Sequence, residues 1–141
     1  MSSQRVVLLL GSNIGDTKKN IEKANSIINS RVGRITQKSE ILITKPVEFV
    51  SSNNFCNIAI VIDTYFSPIK LLNCLKEIEE EMGRNKDSKV LGGYTDRIID
   101  IDIVFFNNII FISNKLEIPH RKNAFERDFS LKLLSELDLK T

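Results

Sequence analysis

The stretch TDRIIDIDIVFFN, residues Thr95–Asn107, has the composition of a buried strand, yet it carries two aspartates inside an isoleucine run. Side chains alternate along a strand, so one face receives Ile99, Ile101 and Ile103, and the other receives Ile98, Asp100, Asp102 and Val104. The isoleucine face needs helices packed against it. Asp100 and Asp102 lie one pleat apart on the uncovered face, where two like charges repel unless a cation compensates them.

Magnesium is the cation that this pattern favours, since it binds one or two carboxylates together with substrate phosphates and water. Basic residues precede and follow the aspartates: Arg84, Lys86, Lys89 and Arg97, then His120, Arg121, Lys122 and Arg127. Cations on both sides of a carboxylate pair suit a metal-bound polyphosphate. The alternative is a solvated sheet face surrounded by ordinary exposed basic residues. The sequence has no Walker A motif, and we interpret Gly11–Gly15 as a strand-to-helix turn.

The remaining patterns predict the order of elements. In chain order they are a strand at 5–10 ending at Gly11, a helix capped by Asp16 or Thr17, a strand at 34–43, a two-sided strand at Phe55–Asp63, a helix from Ser67-Pro68 to Gly83, the strand described above, a return strand at Ile109–Ile112 after the Asn107-Asn108 turn, and a helix at Ala124–Leu137. This βαββαβ order predicts a ferredoxin-like α+β sandwich with an antiparallel sheet covered by helices on one face, an added hairpin strand and a C-terminal helix. The polar segment Arg84–Asp96 is long enough to predict a functional loop that closes over substrates.

Bulk properties limit the class of protein. A chain of 141 residues with 42% hydrophobic and 27% charged residues predicts a single globular domain, residues 1–141. The net charge of +2 gives no global field for nucleic acid, and the early apolar run at 6–10 is too short for a signal segment or a membrane span. Cys56 and Cys74 lack C-x-x-C spacing and predict a buried, reduced pair. We therefore expect a cytoplasmic protein, a monomer, that binds neither nucleic acid nor membrane.

Several motifs together resemble the 6-hydroxymethyl-7,8-dihydropterin pyrophosphokinase family of folate biosynthesis. They are LLLGSNIGD, TKPVEF, NFCNIAIVI, EIEEEMGR, DRIIDIDIVFF and IPHRKNAFERDF, in that order and over most of the chain. The resemblance implies the ferredoxin-like fold and transfer of a pyrophosphoryl group from ATP to the hydroxymethyl group of the reduced pterin, releasing AMP.

The resemblance also implies roles for individual residues. Asp100 and Asp102 would bind two Mg²⁺ ions, and Arg84 and Arg97 would act with them in catalysis. The nucleotide would be held by Glu79, Arg84, Arg97, Ile103, His120, Arg121 and Arg127. The pterin would be held by Thr44, Pro46, Phe55, Asn57 and Phe129. Glu79 is equally compatible with an ordinary helix position, and Phe129 with a core position.

The sequence departs from the family pattern in three places. The segment LGGYTDR replaces the frequent R-W-G-P-R and makes the loop longer, so Lys89 and Tyr94 are the candidates for closing over substrates. One extra residue separates His120 from Arg127, which we place by its neighbours Glu126 and Phe129. The chain ends soon after the last helix, which we expect to leave the sheet edge there less covered.

Two other classes remain as alternatives. One is a non-catalytic ferredoxin-like binding module that keeps the pocket but transfers nothing. The other is an RNA-binding domain on a similar frame, although the aromatic-rich RNA-binding motif is absent and an acidic pair on the exposed face would repel phosphates.

Overall fold

The computed structural model describes residues 2–44, 54–83 and 98–139. The strands in these ranges are β1 (Gln4–Ser12), β2 (Gly33–Lys38), β3 (Leu42–Thr44), β4 (Phe55–Thr64), β5 (Asp100–Phe106), β6 (Phe111–Ile112) and β7 (Glu117–Ile118). The helices are α1 (Thr17–Arg31), α2 (Pro68–Glu81), α3 (Arg121–Phe125) and α4 (Asp128–Ser135). No helix among the described residues has the length and apolar character needed to cross a membrane.

The described strands form a mixed α/β structure around an antiparallel sheet. The sheet has the order β2-β4-β1-β5. β3 pairs with the first residues of β4, on the same edge of β4 whose later residues pair with β2. β1 lies in the centre, because Val6 to Leu10 are all buried and the strand pairs antiparallel with both β4 and β5. Among the described strands of this sheet, β5 has a neighbour on one side only.

Helix boundaries follow the predicted capping residues. Asp16 caps α1 by accepting a hydrogen bond from the backbone amide of Lys19 at 3.1 Å. Ser67 caps α2 in the same way, and Pro68 occupies the first turn, where its missing amide hydrogen costs nothing. Both helices turn their apolar faces, which include Ile28 and Leu75, toward the same side of the sheet.

The opposite face of the sheet is covered along part of its length. The alternate residues Val7 and Leu9 of β1 and Val61 of β4 pack there against Leu133 and Leu134 of α4. The prediction that helices cover one face only was therefore wrong. Apolar residues on both sides of β1 and β4 each require a covering layer, and the segment after β7 supplies the second one.

Three predicted boundaries also need correction. β1 runs through Gly11 to Ser12, so the turn begins later than predicted. The strand predicted at 34–43 is divided into β2 and β3, because Ser39 turns its hydroxyl to the backbone amide of Ala59 at 2.9 Å. The helix predicted at Ala124–Leu137 is divided into α3 and α4 at residues 126–127.

The predicted hairpin partner of β5 is the fourth correction. Asn107 adopts a left-handed turn with φ of 50°, but the return segment pairs with β7 and forms a separate two-stranded sheet. The isoleucine-rich composition of this segment indicated a strand but carried no information about its partner.

The two cysteines are free thiols, with Cys56 buried and Cys74 half-buried. The predicted closing loop, including Lys89 and Tyr94, lies outside the described residues.

Candidate active site

The two aspartates lie on β5 at the polar end of the second sheet face. Asp100 is the cross-strand partner of Gly11 and Asp102 is the partner of Leu9, so both carboxylates share the face that carries Leu9. Both are half-buried, whereas Ile101 between them is buried on the helix-covered face. The predicted alternation is present from Ile99 to Val104, whereas Ile98, which precedes β5, packs with the helix-covered core and not on the aspartate face. The aspartates border the segment after β7 and do not lie on an open face.

Burial and like charge both act on Asp102. Burial raises the pKa of Asp102, and the neighbouring charge of Asp100 raises it further, to about 7. A hydrogen bond from Asn123 Nδ2, 2.9 Å from Asp102 Oδ2, acts in the opposite direction. A cation at this pair would favour the ionised carboxylates, and two carboxylate ligands match the protein contribution that magnesium takes when phosphates and water complete its coordination.

His120 lies beside Asp102 and is anchored at its backbone and its ring. Its backbone amide donates to the carbonyl of Val104 at 3.0 Å, and its Nδ1 accepts from the backbone amide of Asn123 at 3.2 Å, which caps α3. Its Nε2 is 3.9 Å from Asp102 Oδ2. Burial and the charge of Arg127 lower the pKa of His120, so the ring is neutral at pH 7 and offers Nε2–H as a donor.

Glu79 connects α2 to the outer edge of β5. Its side chain is buried, and its Oε2 accepts a hydrogen bond from the backbone amide of Ile101 at 2.7 Å. Backbone groups two residues apart in a strand point the same way, so the amide and carbonyl of Ile103 also face this edge. Glu79 is therefore both a structural acceptor for β5 and a wall of the adjacent cavity.

A cavity of about 600 Å³ lies along this edge of the sheet. It brings together seven of the residues assigned to the nucleotide or the metal: Glu79, Asp100, Asp102, Ile103, His120, Arg121 and Arg127. Lys122, one of the basic residues noted after the aspartates, also lines the cavity, as do two cations that the sequence analysis had not named: Lys76 and Lys115. The concentration of positive side chains around two carboxylates suits an anionic ligand that carries a metal ion.

A second group of assigned residues lies on the same sheet face as Asp100, two strands away. Asn57 is 4% exposed, and its Nδ2 donates to Thr44 Oγ1 at 3.1 Å. Thr44 is in turn the cross-strand partner of Phe55, which is half-buried. These three residues form a small polar and aromatic cluster.

Gly11 separates the two groups. It pairs with Asn57 on one side and with Asp100 on the other, so the latter two lie two strand spacings apart, about 10 Å. A Cβ at Gly11 would lie 3.0 Å from Asn57 Oδ1 and 3.7 Å from the Phe55 ring. The missing side chain keeps the surface between the amide of Asn57 and the carboxylate of Asp100 open.

Phe129 is half-buried and packs against the apolar cluster that Leu133 and Leu134 form with the sheet. Its position agrees with the core alternative and leaves part of the ring exposed. Three assigned residues, Pro46, Arg84 and Arg97, lie outside the described residues.

Asn123 is a residue of this site that the sequence analysis missed. It is fully buried, and its Oδ1 accepts from Arg127 Nη1 at 3.0 Å while its Nδ2 contacts Asp102. A signal was available, because positions 120, 123 and 127 follow the spacing of one helix face. Gly11 was missed because the segment was interpreted as a turn.

Comparison with known proteins gives matches over most of the chain. The sequence profile described as 7,8-dihydro-6-hydroxymethylpterin-pyrophosphokinase (HPPK) matches residues 7–139. A 2-amino-4-hydroxy-6-hydroxymethyldihydropteridine pyrophosphokinase of Porphyromonas gingivalis is 35% identical over 94% of this chain and 89% of the relative.

Longer relatives match as well. A folate synthesis bifunctional protein of Arabidopsis thaliana is 37% identical over 95% of this chain, which spans only 27% of that protein's length. A crystal structure of Plasmodium falciparum HPPK-DHPS superposes with a TM-score of 0.70 at 18% identity, covering 95% of this chain and 39% of the other, and this likeness concerns the fold. From the profile match and the relatives of similar length, the chain belongs to the 7,8-dihydro-6-hydroxymethylpterin-pyrophosphokinase family.

Proposed function

We propose that this chain transfers a pyrophosphoryl group from ATP to the hydroxymethyl group of 6-hydroxymethyl-7,8-dihydropterin in folate biosynthesis. The hydroxymethyl oxygen forms a bond to the β-phosphorus and loses its proton to water. The bond between that phosphorus and the α–β bridging oxygen breaks, and AMP leaves with the bridging oxygen. The observation that carries this proposal is the pair Asp100 and Asp102 in a cation-lined cavity, separated by Gly11 from the cluster around Asn57.

Asp100 and Asp102 are the residues that would hold magnesium, with two ions expected. Bound there, magnesium would neutralise phosphate charge and act as a Lewis acid toward the reacting phosphorus. The repulsion between the carboxylates, visible in the raised pKa of Asp102, supports this assignment.

The cavity side chains would bind and orient the triphosphate. Arg121 and Arg127 contribute positive charge, and neutral His120 contributes the Nε2–H donor. Arg84 and Arg97 are proposed to join them. Glu79 would hold β5 in place. The backbone of Ile103 would contact the adenine base of ATP at the edge of the strand. Positioning and charge neutralisation supply most of the catalysis in such chemistry.

The cluster on the other side of Gly11 would bind the pterin. The buried amide of Asn57 offers a donor and an acceptor, as the edge of a pterin requires, and Phe55 offers a ring for stacking. Thr44 orients that amide. Pro46 and the exposed part of Phe129 are proposed to complete the pocket.

We further propose a ferredoxin-like sandwich, with residues 1–141 as one domain that acts as a cytoplasmic monomer. The strand order β2-β4-β1-β5, with α1 and α2 on one face, supports the fold assignment. Sedimentation at micromolar concentration tests the monomer, since a dimer would double the measured mass.

A product assay tests the activity. The chain is incubated with ATP, Mg²⁺ and 6-hydroxymethyl-7,8-dihydropterin, and the nucleotides are separated by chromatography. We expect AMP in amounts equal to the pterin diphosphate. Formation of ADP, or no turnover beyond that of an Asp100→Asn control, would refute the proposal and favour a binding module without transfer.

The acceptor assignment has a separate test. Phe55→Ala and Asn57→Ala are expected to weaken pterin binding much more than binding of a non-hydrolysable ATP analogue, because their side chains lie away from the triphosphate cavity. Calorimetric titration measures both affinities. Equal losses for the two ligands would indicate damage to the fold, and an unchanged pterin affinity would place the acceptor elsewhere.

A further inference from the structure

We propose that Asn123 is a positioning residue that fixes Asp102 and Arg127 relative to each other before any ligand binds. This inference rests on the proposed function and extends it to a residue that the family pattern did not assign. It is carried by two contacts of one fully buried amide: Nδ2 to Asp102 Oδ2 at 2.9 Å and Oδ1 to Arg127 Nη1 at 3.0 Å.

The chemistry of the amide suits its two partners. Its NH₂ group can only donate and its oxygen can only accept, while a carboxylate accepts and a guanidinium donates. Only one orientation of the Asn123 amide satisfies both neighbours, so the hydrogen-bond network determines it. An acidic side chain here would repel Asp102, and a basic one would repel Arg127.

The backbone of Asn123 is held independently of its side chain. Its amide donates to His120 Nδ1 at 3.2 Å, and its carbonyl accepts from the hydroxyl of Ser130. His120 is itself bonded to Val104 of β5. The side-chain amide is therefore carried on a frame fixed to the same strand as the aspartates, which is the requirement for orienting Asp102 accurately.

This arrangement joins two functions that the proposed reaction needs together. Asp102 Oδ2 is committed to Asn123, which limits rotation of the carboxylate, and Arg127 is restrained by the same group. A metal ligand and a phosphate-binding cation thus have a preset separation, so less ordering remains to be done on binding. Loss of the Asn123 side chain should therefore release both Asp102 and Arg127 at once.

The test measures binding and not turnover. Mn²⁺ serves as the metal probe, with a non-hydrolysable ATP analogue, and its electron paramagnetic resonance signal reports the bound fraction. Asn123→Ala is expected to weaken Mn²⁺ binding in the presence of the analogue by about 10- to 100-fold, the usual range for a residue that orients a metal ligand. Thr64→Val removes a buried hydroxyl bond to Val32 at the far end of β4 and is expected to leave this binding unchanged.

A double-mutant cycle with Arg127→Ala separates positioning from independent effects. If Asn123 acts through Arg127 as well as Asp102, its replacement costs less in the Arg127→Ala background than in the wild type. Equal fold losses in both backgrounds, or a loss below about twofold in the wild type, would overturn the inference.

A measurement on the unmodified protein covers the case in which Asn123→Ala does not fold. The side-chain amide protons of Asn123 should exchange slowly with solvent and should shift in NMR spectra when Mg²⁺ and the analogue are added. Fast exchange with no shift would overturn the inference.

The failure of this inference can be told from the failure of the proposed function. If the wild type forms AMP while the Asn123→Ala variant binds Mn²⁺ normally, only this inference is refuted. If the wild type neither binds Mn²⁺ with the analogue nor forms AMP, the proposed function is refuted with it.

Discussion

At the residue scale, the charge of Asp102 is unfavourable for the metal-free protein and is needed by the proposed metal ion. Asp102 lies where burial and Asp100 both disfavour its charge, and it is held there by a hydrogen bond from Asn123. The ionised side chain of Asp102 therefore lowers the stability of the metal-free protein. Such costs are expected at functional positions, where the side chain serves the ligand and not the stability of the protein.

The pH dependence of stability follows from the raised pKa of Asp102. The folded protein binds a proton more tightly at this residue than the unfolded chain, whose carboxyl pKa is about 3.9, so the metal-free wild type loses stability as pH rises from about 4 to about 7. Asp102→Asn removes this loss and keeps an acceptor for Asn123. We expect the melting temperature of the variant, measured in EDTA, to rise relative to that of the wild type as the pH increases.

A substitution that changes no titratable group provides the control for this experiment. Ser26→Ala at an exposed position of α1 should leave the difference from the wild type nearly constant with pH. The lowered pKa of His120 gives stability that is lost as pH falls below about 6.5. His120 Nε2 lies 3.9 Å from Asp102 Oδ2, so the two titrations are not independent. The comparison is therefore repeated in a His120→Gln background, where the titration of the imidazole is absent. A difference that does not change with pH would contradict the prediction.

Gly11 gives a second prediction at this scale. Gly11→Ala places a methyl group 3.0 Å from Asn57 Oδ1, and we expect pterin affinity to fall while affinity for the ATP analogue is retained. Titration calorimetry measures both. Gly33→Ala is the matched control, because its Cβ would meet the backbone carbonyl of Asp63 away from the site and damage the fold without preference for either ligand. Equal losses in the two variants would contradict a role for Gly11.

Among the elements, periodicity predicted some features well and others poorly. The helices α1 and α2, with their caps, and the two faces of β4 followed from local patterns, since capping and alternation depend on neighbours in sequence. The partner of β6 and the break between α3 and α4 did not follow, because both are decided by contacts with distant residues.

The site shows the same division. Asp100 and Asp102 were visible because charge interrupts an apolar strand, whereas Asn123 is an ordinary polar residue until the fold brings it to Asp102. The family resemblance supplied the assignments that spacing could not, and the cavity gathers those that lie along β5.

Glu79 provides the prediction for the contact between α2 and β5. Glu79→Ala leaves the buried amide of Ile101 without its acceptor and is expected to cost about 1–3 kcal/mol of unfolding free energy. Glu79→Gln keeps an acceptor and should cost less. Urea denaturation measures both, with the exposed Glu77→Ala on the same helix as control. If both variants change the unfolding free energy only as much as Glu77→Ala does, the hydrogen bond between Glu79 and the amide of Ile101 does not stabilise the fold.

At the scale of the whole molecule, one sheet face is shared between core and site. Its apolar end packs against α4, and its polar end carries Gly11, Asn57 and the two aspartates. Stability and ligand binding should therefore respond together to changes in the segment that contains α3 and α4, which also supplies His120, Asn123 and Arg127.

Leu133 tests this connection. Leu133→Ala empties a fully buried position in α4 and is expected to cost about 2–5 kcal/mol, with weaker binding of the ATP analogue well below the melting temperature. Leu131→Ala on the same helix removes a side chain that is 37% exposed and should cost much less. Full analogue affinity in Leu133→Ala, despite its lower stability, would mean that the site is independent of the packing of α4 against the sheet.

The central position of β1 also bears on how the chain reaches its folded state. Gly11 meets Asn57 and Asp100, and the side chain of Gln37 exchanges two hydrogen bonds with the backbone of Asp138, 101 residues away. Such contacts have high contact order because their residues are far apart in sequence, and loop-closure entropy must be lost before any of them forms. Refolding is therefore expected to be slow for a chain of this size, and the carboxylate pair acquires its neighbours only when distant segments have come together.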